Sequence, residues 1–325
     1  MSEASAYLIV GGAGFIGSSI VDRLLATPAV RQVTVFDNFS SGRDWHLEAN
    51  AGDSRLRVVR DDVRRLDSLT AAMRGHDVVI HLASNPDIAM AMTDPTVDFD
   101  DGTLLTHHVV EAMRRSGTST ILYASGSGVY GDLGDLEIDE DHGPCLPIST
   151  YGASKLAGEA LISAYSHMFD IAGYSFRFGN VVGPRQTHGV GYDFIRRLVE
   201  DRSRLRILGD GEQSKSYIHV DDVIDALLLV LDSATERLGV FNVATGDYIT
   251  VREIADLAVE CLGIAPGEVE YEFTGGERGW KGDVPVVRVN TDRIRALGWR
   301  NRLGSRDALR QSMAAMAPLA HAGRI

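Results

Sequence analysis

Short runs rich in Val, Ile and Leu alternate with amphipathic stretches through the first half of the chain. A glycine-rich turn follows the first run, and an acid closes the second. Together these predict an α/β protein: a Rossmann-type doubly wound parallel sheet with a smaller C-terminal α/β domain. The runs 7–10, 33–36, 56–59, 78–82 and 119–124 read as buried parallel strands, short and without polar alternation. Helices are expected at 15–26, 67–74 and 95–115, then a long one at 149–169, followed by a strand at 173–178.

The second half is less regular. Residues 220–231 read as a helix opened by Asp221 and Asp222, and Thr250-Val251-Arg252-Glu253 matches a capping box. Residues 275–282 are expected to form an ordered loop. No Pro/Gly/Ser linker separates the halves, so the boundary is soft: 1–179 as the dinucleotide-binding domain and 180–325 as the substrate region, with the chain free to cross back.

Bulk properties narrow the function classes. A chain of 325 residues that is 44% hydrophobic suits one large or two intimately joined domains. A net charge of −13 repels nucleic-acid phosphates, so no nucleic-acid partner is expected, and an anionic substrate would need a local cluster of cations. Cys145 and Cys261 have no metal-ligand spacing and form no disulfide framework, which fits a reducing, cytoplasmic setting without a metal. The apolar run before the glycines is too short for a signal peptide or a membrane span.

Gly11-Gly12-Ala13-Gly14-Phe15-Ile16-Gly17 lies between a predicted strand and a predicted helix. Glycines permit the tight turn and let backbone N–H groups approach a pyrophosphate, to which the helix N-terminus adds its dipole. Asp37 ends the second strand 20 residues after Gly17. An acid there accepts from both ribose hydroxyls and repels a 2′-phosphate, so NAD is expected rather than NADP. Asp37-Asn38 is also ordinary turn chemistry, and it is the combination with the glycines that points to a dinucleotide.

Tyr151 and Lys155 stand i, i+4 near the start of the long helix, on one face. A free phenol, with a pKa of ~10, is a poor base at neutral pH, and lowering it three units takes about 4 kcal/mol. An ammonium about 4 Å away supplies that much at an effective dielectric near 20. Such pairs are usually surface chemistry. This one gains meaning because it follows a complete nucleotide-binding half.

In order along the chain, several motifs then add up. They are Gly-Gly-Ala-Gly-Phe-Ile-Gly-Ser (11–18), Asp37-Asn38, Asp61-Asp62-Val63, His81-Leu82-Ala83-Ser84 and Ser127-Gly128-Val129-Tyr130-Gly131. They continue with Tyr151-x-x-x-Lys155, Arg177-x-x-Asn180-Val181-Val182-Gly183-Pro184-Arg185, Leu208-Gly209-Asp210-Gly211 and Tyr217-Ile218-His219-Val220. With them nearly the whole chain resembles the extended short-chain dehydrogenase/reductase family, in its NAD-dependent sugar epimerase/dehydratase branch. The loop carrying Arg278 and Asp283 resembles that of archaeal-type UDP-glucose 4-epimerases. The resemblance implies an NAD site lined by Gly11, Gly14, Phe15, Ile16, Gly17, Asp37, Asn38, Ser40, Gly42, Asp62, Val63, Leu82, Ala83 and Ser84. It implies Tyr151 and Lys155 as the catalytic pair. Asn180, Lys215, Arg278, Asp283 and Ser127 would hold the sugar nucleotide, and a homodimer would form through the helices at 95–115 and 149–169.

The residues before Val-Tyr-Gly separate the reactions of this branch. Dehydratases resemble Ser-Thr-Asp-Glu-Val-Tyr-Gly, whereas this chain reads Ala124-Ser125-Gly126-Ser127-Gly128-Val129-Tyr130-Gly131. Hydroxyls without a carboxylate leave elimination of water short of its general acid, so 4-epimerisation of a UDP-sugar leads. The alternatives are a 4-ketoreductase or another nucleotide-sugar modifier, or a non-catalytic NAD-binding scaffold. Two departures from the family pattern stand out. Gly126 occupies the usual Ser or Thr position, so Ser125 or Ser127 would take over that hydroxyl's task. Phe99 occupies a position where asparagine is usual, so that region is expected to be rearranged. For a hexuronate substrate, Arg185 or a protonated His188 would be the candidate cation near C6.

Overall fold

The computed structural model describes residues 5–265 and 267–325. Seven strands form one sheet: β1 (Ala6–Val10), β2 (Gln32–Asp37), β3 (Leu56–Arg60), β4 (Val78–His81), β5 (Thr120–Gly126), β6 (Ala172–Phe178) and β7 (Leu238–Val243). All neighbouring pairs are parallel, in the order β3-β2-β1-β4-β5-β6-β7. The helices are α1 (Phe15–Leu25), α2 (Leu66–Met73), α3 (Leu104–Ser116), α4 (Thr150–Phe169), α5 (Val190–Glu200), α6 (Val220–Ser233), α7 (Val251–Cys261), α8 (Asp292–Ala296) and α9 (Ser305–His321). This is the expected doubly wound α/β sheet.

Strand periodicity builds its two cores. Along β1, Tyr7 and Ile9 point to one layer, where they meet Ile20, Val21 and Leu24 of α1 and Val223, Leu227 and Val230 of α6. Leu8 and Val10 point to the other, with Leu69 and Met73 of α2, Val109 and Met113 of α3 and Ile162 of α4. Burying each such side chain contributes about 1.5–3 kcal/mol. A strand slipped by one residue would exchange the two faces, so this pattern fixes the register.

The chain leaves the sheet after β6 and returns to it with α6 and β7, pairing Leu238 to Val243 against Gly173 to Phe178. A separate core joins α5, α7 and α9 through Phe194, Leu198, Ile254, Leu257, Leu309 and Met313. The capping box is present in full: Thr250 Oγ1 accepts from Glu253 N, and the Glu253 carboxylate accepts from Thr250 N.

The helix expected at 95–115 needs correction. It opens as a wide π turn at Phe99–Thr103 and becomes regular only in α3. The turn is drawn against α4: a Cβ at Gly102 would lie 2.6 Å from Ser154 Oγ. Asp98, just before the turn, is tied to Thr150 and Asn85. These tethers hold the extra residue that a π turn accommodates.

In the sheet order, β1 lies between β2 and β4, so connections from its two neighbours diverge to opposite sides. Ligands of open α/β sheets bind at the carboxyl ends of the strands at such a switch point. Gly11 follows β1 there, Leu82 follows β4, and Ala83 N donates to Val10 O at 3.0 Å.

Candidate active site

The glycine turn is packed so tightly that side chains cannot enter it. Gly11 has φ +84°, and a Cβ there would stand 2.8 Å from Ala83 N; one at Gly17 would stand 2.4 Å from Gly11 O. Ala13 is held from two sides: its N–H donates to Asp37 Oδ2 at 2.9 Å, and its carbonyl lies 2.8 Å from His46 Nδ1. Asp37 also accepts from Phe39 N at 2.7 Å. Burial pushes its carboxyl up, against these backbone hydrogen bonds and the charge of Arg60. Gly42 packs on Ala13, where a Cβ would come within 2.8 Å of the Ala13 Cβ.

Asn38 and Ser40 are exposed at the same rim, and Asn38 Nδ2 donates to Asp62 Oδ2 at 3.1 Å beside the buried Val63. Phe15 and Ile16 turn their side chains into the sheet core, so only their backbone can face a ligand. Ser84 Oγ is buried without a hydrogen-bond partner among the described residues. A native buried hydroxyl is almost always paired, so this one fits a polar ligand group. A bare backbone cradle, a helix N-terminus, an acid at the end of β2 and this hydroxyl suit a dinucleotide.

The catalytic candidates stand on α4. Ser149 caps that helix, accepting from Gly152 N at 3.0 Å. Two glycines let α4 close on the sheet edge: a Cβ at Gly152 would meet Gly128 O at 2.5 Å, and one at Gly158 would meet Tyr123 Oη at 2.3 Å. Lys155 is thereby buried, and its Nζ donates to Ala124 O at 2.8 Å while lying 5.4 Å from the centroid of the Tyr151 ring.

The sequence reading expected the ammonium to lower the phenol. Instead burial, then the charge of Asp98, pushes Tyr151 up to about 12. Burial pushes Lys155 down to about 8, against the charges of Asp98 and Glu159. The lysine serves the end of β5 first, and its effect on the phenol needs further positive charge beside it. The Tyr151 hydroxyl has no hydrogen-bond partner among the described residues, so it is free for a substrate hydroxyl. Next to Lys155, burial and the lysine's charge push the His81 imidazole down to about 3. It is therefore neutral at ordinary pH, with Nε2 3.1 Å from Thr106 Oγ1.

The turn before Val129 separates the two serine candidates. Ser125 Oγ donates to Glu159 Oε1 at 2.5 Å, and Arg177 grips the same carboxylate through Nε at 3.0 Å and Nη2 at 2.7 Å. That buried network takes up the Ser125 hydroxyl, while Ser127 is half-buried and has no partner among the described residues. At Gly126 a Cβ would meet nothing within 4 Å, so the missing hydroxyl leaves open space.

The C-terminal region faces this edge. Residues Asn180–Val182 pair in parallel with Tyr217–His219, and exposed Asn180 donates to Ser216 O at 3.1 Å, beside Lys215. Lys215 Nζ lies 2.5 Å from Asp283 Oδ1. Arg278 donates to Asp283 O at 2.7 Å and pairs with Asp132 Oδ2 at 2.5 Å. Lys215, Arg278 and Asp283 thus come together in one patch, with Asn180 bonded to the chain beside Lys215, next to an open depression of about 480 Å³ lined by Gly276, Glu277, Arg278, Trp280 and Lys281. Buried Asp283 acts as a hub, also accepting from Gly279 N at 3.2 Å.

Arg185, considered for a C6 carboxylate, is turned to α1 and pairs with Asp22 at 2.6 Å. His188 loses proton affinity on burial, against the charges of Asp193 and Asp87, while the Arg185 guanidinium is engaged by Asp22. Sequence reasoning gave no role to Asp98, Asp132, Glu159 or Arg177, although Arg177 opens the Arg177-x-x-Asn180 run and Glu159 lies i+4 from Lys155 on the same helix.

The chain resembles known proteins over almost its full length. The NAD dependent epimerase/dehydratase family profile matches residues 7–244. The UDP-glucose 4-epimerase of Mycolicibacterium smegmatis is 32% identical, with 94% of this chain and 96% of that protein covered. A crystal structure of the Thermus thermophilus UDP-glucose 4-epimerase in complex with NAD superposes with a TM-score of 0.82 at 31% identity, covering 95% of this chain and 98% of that one. DesIV, a dTDP-glucose 4,6-dehydratase from Streptomyces venezuelae with NAD bound, superposes with a TM-score of 0.87 at 26% identity, covering 96% of each chain. NAD is the cofactor of this chain, and the glycine cradle fits it. With its switch-point glycines, its Tyr151 and Lys155 on α4 and these relatives, the chain belongs to the NAD dependent epimerase/dehydratase family.

Proposed function

We propose that the chain catalyses 4-epimerisation of a UDP-sugar, UDP-glucose/galactose or UDP-glucuronate/galacturonate. The observation that carries this reading is the unpartnered Tyr151 phenol beside Lys155 at the sheet's carboxyl edge, next to a turn (126–131) without a carboxylate. Tyr151 takes the proton of the sugar 4-hydroxyl and later returns it. NAD, when bound by Gly11 to Gly17, Asp37 and Ser84, supplies a reversible hydride acceptor and a positive ring that favours the phenolate. Ser127 holds the 4-oxygen during both transfers. Lys215 and Arg278 bind the diphosphate after giving up part of their hold on Asp283 and Asp132, with Asn180 alongside. That tether lets the keto sugar turn over without escaping.

Dehydration finds little support. Glu159, the acid bonded to Ser125 just before this turn, is held by Arg177, and Asp132, just after the turn, is paired with Arg278. Arg185 is engaged with Asp22, which favours the neutral hexose pair over the hexuronates. The reading extends to a homodimer through α3 and α4, where Met168 is 70% exposed.

UDP-glucose deuterated at C4 tests the reaction class. Epimerisation gives UDP-galactose that keeps its deuterium at C4, with no net change in NADH. A 4-keto-6-deoxy product, or NADH consumed in step with product, sinks the proposal in favour of a dehydratase or a ketoreductase.

A further inference from the structure

Asp98 is a carboxylate 1% exposed to solvent, placed between the π turn and the catalytic helix. Its Oδ2 accepts from Thr150 Oγ1 at 2.7 Å, and its Oδ1 accepts from Asn85 Nδ2 at 2.9 Å. Thr150 is the first residue of α4 and precedes Tyr151 directly. Ser149 already caps this helix, so Asp98 is not needed for that purpose. A helix N-terminus is nonetheless a favourable place for an anion. The seat is built for close approach, since a Cβ at Gly102 would collide with Ser154 of α4.

Four groups besides Tyr151 face Lys155: Asp98 from the segment before α3, Glu159 from its own helix, His81 from β4 and Tyr123 from β5. Tyr151 is faced by Asp98 and by Tyr123, whose phenol burial keeps protonated. His81 is neutral, and Glu159 is neutralised by the two-pronged grip of Arg177. Asp98 makes no ion pair within 4 Å among the described residues. It is thus the carboxylate of the cluster that no ion pair holds among the described residues.

We propose that Asp98 is a positioning residue for the reaction: it fixes the first turn of α4, and its buried carboxylate is the fixed negative charge that Tyr151 and Lys155 face while Tyr151 gives up and regains its proton. The inference rests on the reading of Tyr151 as proton carrier. The π turn is what brings the acid there, because a regular helix through 99–103 would rotate Asp98 away from Thr150.

The test titrates Tyr151 in the NAD-loaded protein by NMR of ring-labelled tyrosine, with Tyr151→Phe assigning the signal. No substrate is present, so the result is independent of which sugar the protein uses or whether epimerisation is its reaction. Asp98→Asn removes the charge; Asp98→Ser, which keeps a hydroxyl toward Thr150 and Asn85, is the second neutral variant should the first not fold. Thr150→Val removes a hydrogen bond and keeps the charge. The proposal expects the neutral variants to titrate Tyr151 about one unit lower. In turnover, both limbs of their kcat profile then move to lower pH, with KM unchanged. Thr150→Val should leave the titration where it was. A folded, NAD-retaining neutral variant with an unmoved Tyr151 titration overturns the proposal, as does an equal shift in Thr150→Val.

Discussion

Lys155 Nζ donates to the carbonyl of Ala124 at 2.8 Å, so the ammonium is moored to the end of β5 rather than to the phenol. Its burial carries a stability consequence. The folded value of about 8 lies below the ordinary 10.5, so between those values the unfolded chain binds more protons and stability rises with pH. Below about pH 8 the full penalty stands, about 3 kcal/mol at ~1.36 kcal/mol per unit. Losing the Ala124 hydrogen bond offsets about 1 kcal/mol of it. Lys155→Met is therefore expected to lose turnover yet be more stable than the natural chain by about 2 kcal/mol at pH 7. Urea unfolding at pH 7 and again at pH 9.5 checks this, and the gap should narrow at the higher pH.

The two serines make opposite predictions. Ser127→Ala should lower kcat by about 10- to 100-fold with little change in melting temperature, because its hydroxyl has no partner among the described residues. Ser125→Ala should act mainly on stability, by about 1 kcal/mol, because it loses its hydrogen bond to Glu159. Gly126→Ser has room for its side chain and extended backbone at φ −160°, so it should fold normally. It would then raise kcat by restoring a hydroxyl at the usual family position. Steady-state kinetics beside thermal melts separate these outcomes.

Glu159 and Arg177 form a buried pair whose side chains are 8% and 6% exposed. Removing one partner strands the other charge, so Glu159→Gln should cost about 3–5 kcal/mol. Denaturant unfolding measures it. A loss below 1 kcal/mol would mean that the pair is solvated in solution.

Asp132 competes for the guanidinium that the diphosphate would need. Freeing the half-exposed Arg278 from this pair is worth about 1 kcal/mol, so Asp132→Asn should lower KM for the sugar nucleotide roughly fivefold at low salt. Raising the ionic strength should erase the difference. A raised KM would instead assign Asp132 to holding the loop in place.

What the sequence made legible is what local spacing encodes. The glycines after β1, Asp37, the Thr250 capping box and the i, i+4 Tyr151 and Lys155 each lie within one element or at its end, and all stand where the pattern puts them. Asp98 with Thr150 and Arg278 with Asp132 join residues 52 and 146 positions apart, and no local period signals such a pair. The π turn escaped for a related reason. The departure at Phe99 marked the region as rearranged, but not how: it is contact with α4 that widens its first turn. The expected effect of Lys155 on Tyr151 failed because burial of both groups and the carbonyl of Ala124 enter only in three dimensions.

The most direct measurement of the central claim is NMR of UDP-glucose incubated with the purified protein, without added cofactor. The account predicts the 4-epimer growing to equilibrium on resident NAD, and a drop of about 10²- to 10⁴-fold in rate for Tyr151→Phe with NAD still bound. Full epimerisation by Tyr151→Phe, or no epimer from UDP-glucose, UDP-glucuronate or their 4-epimers with NAD still bound, would contradict it.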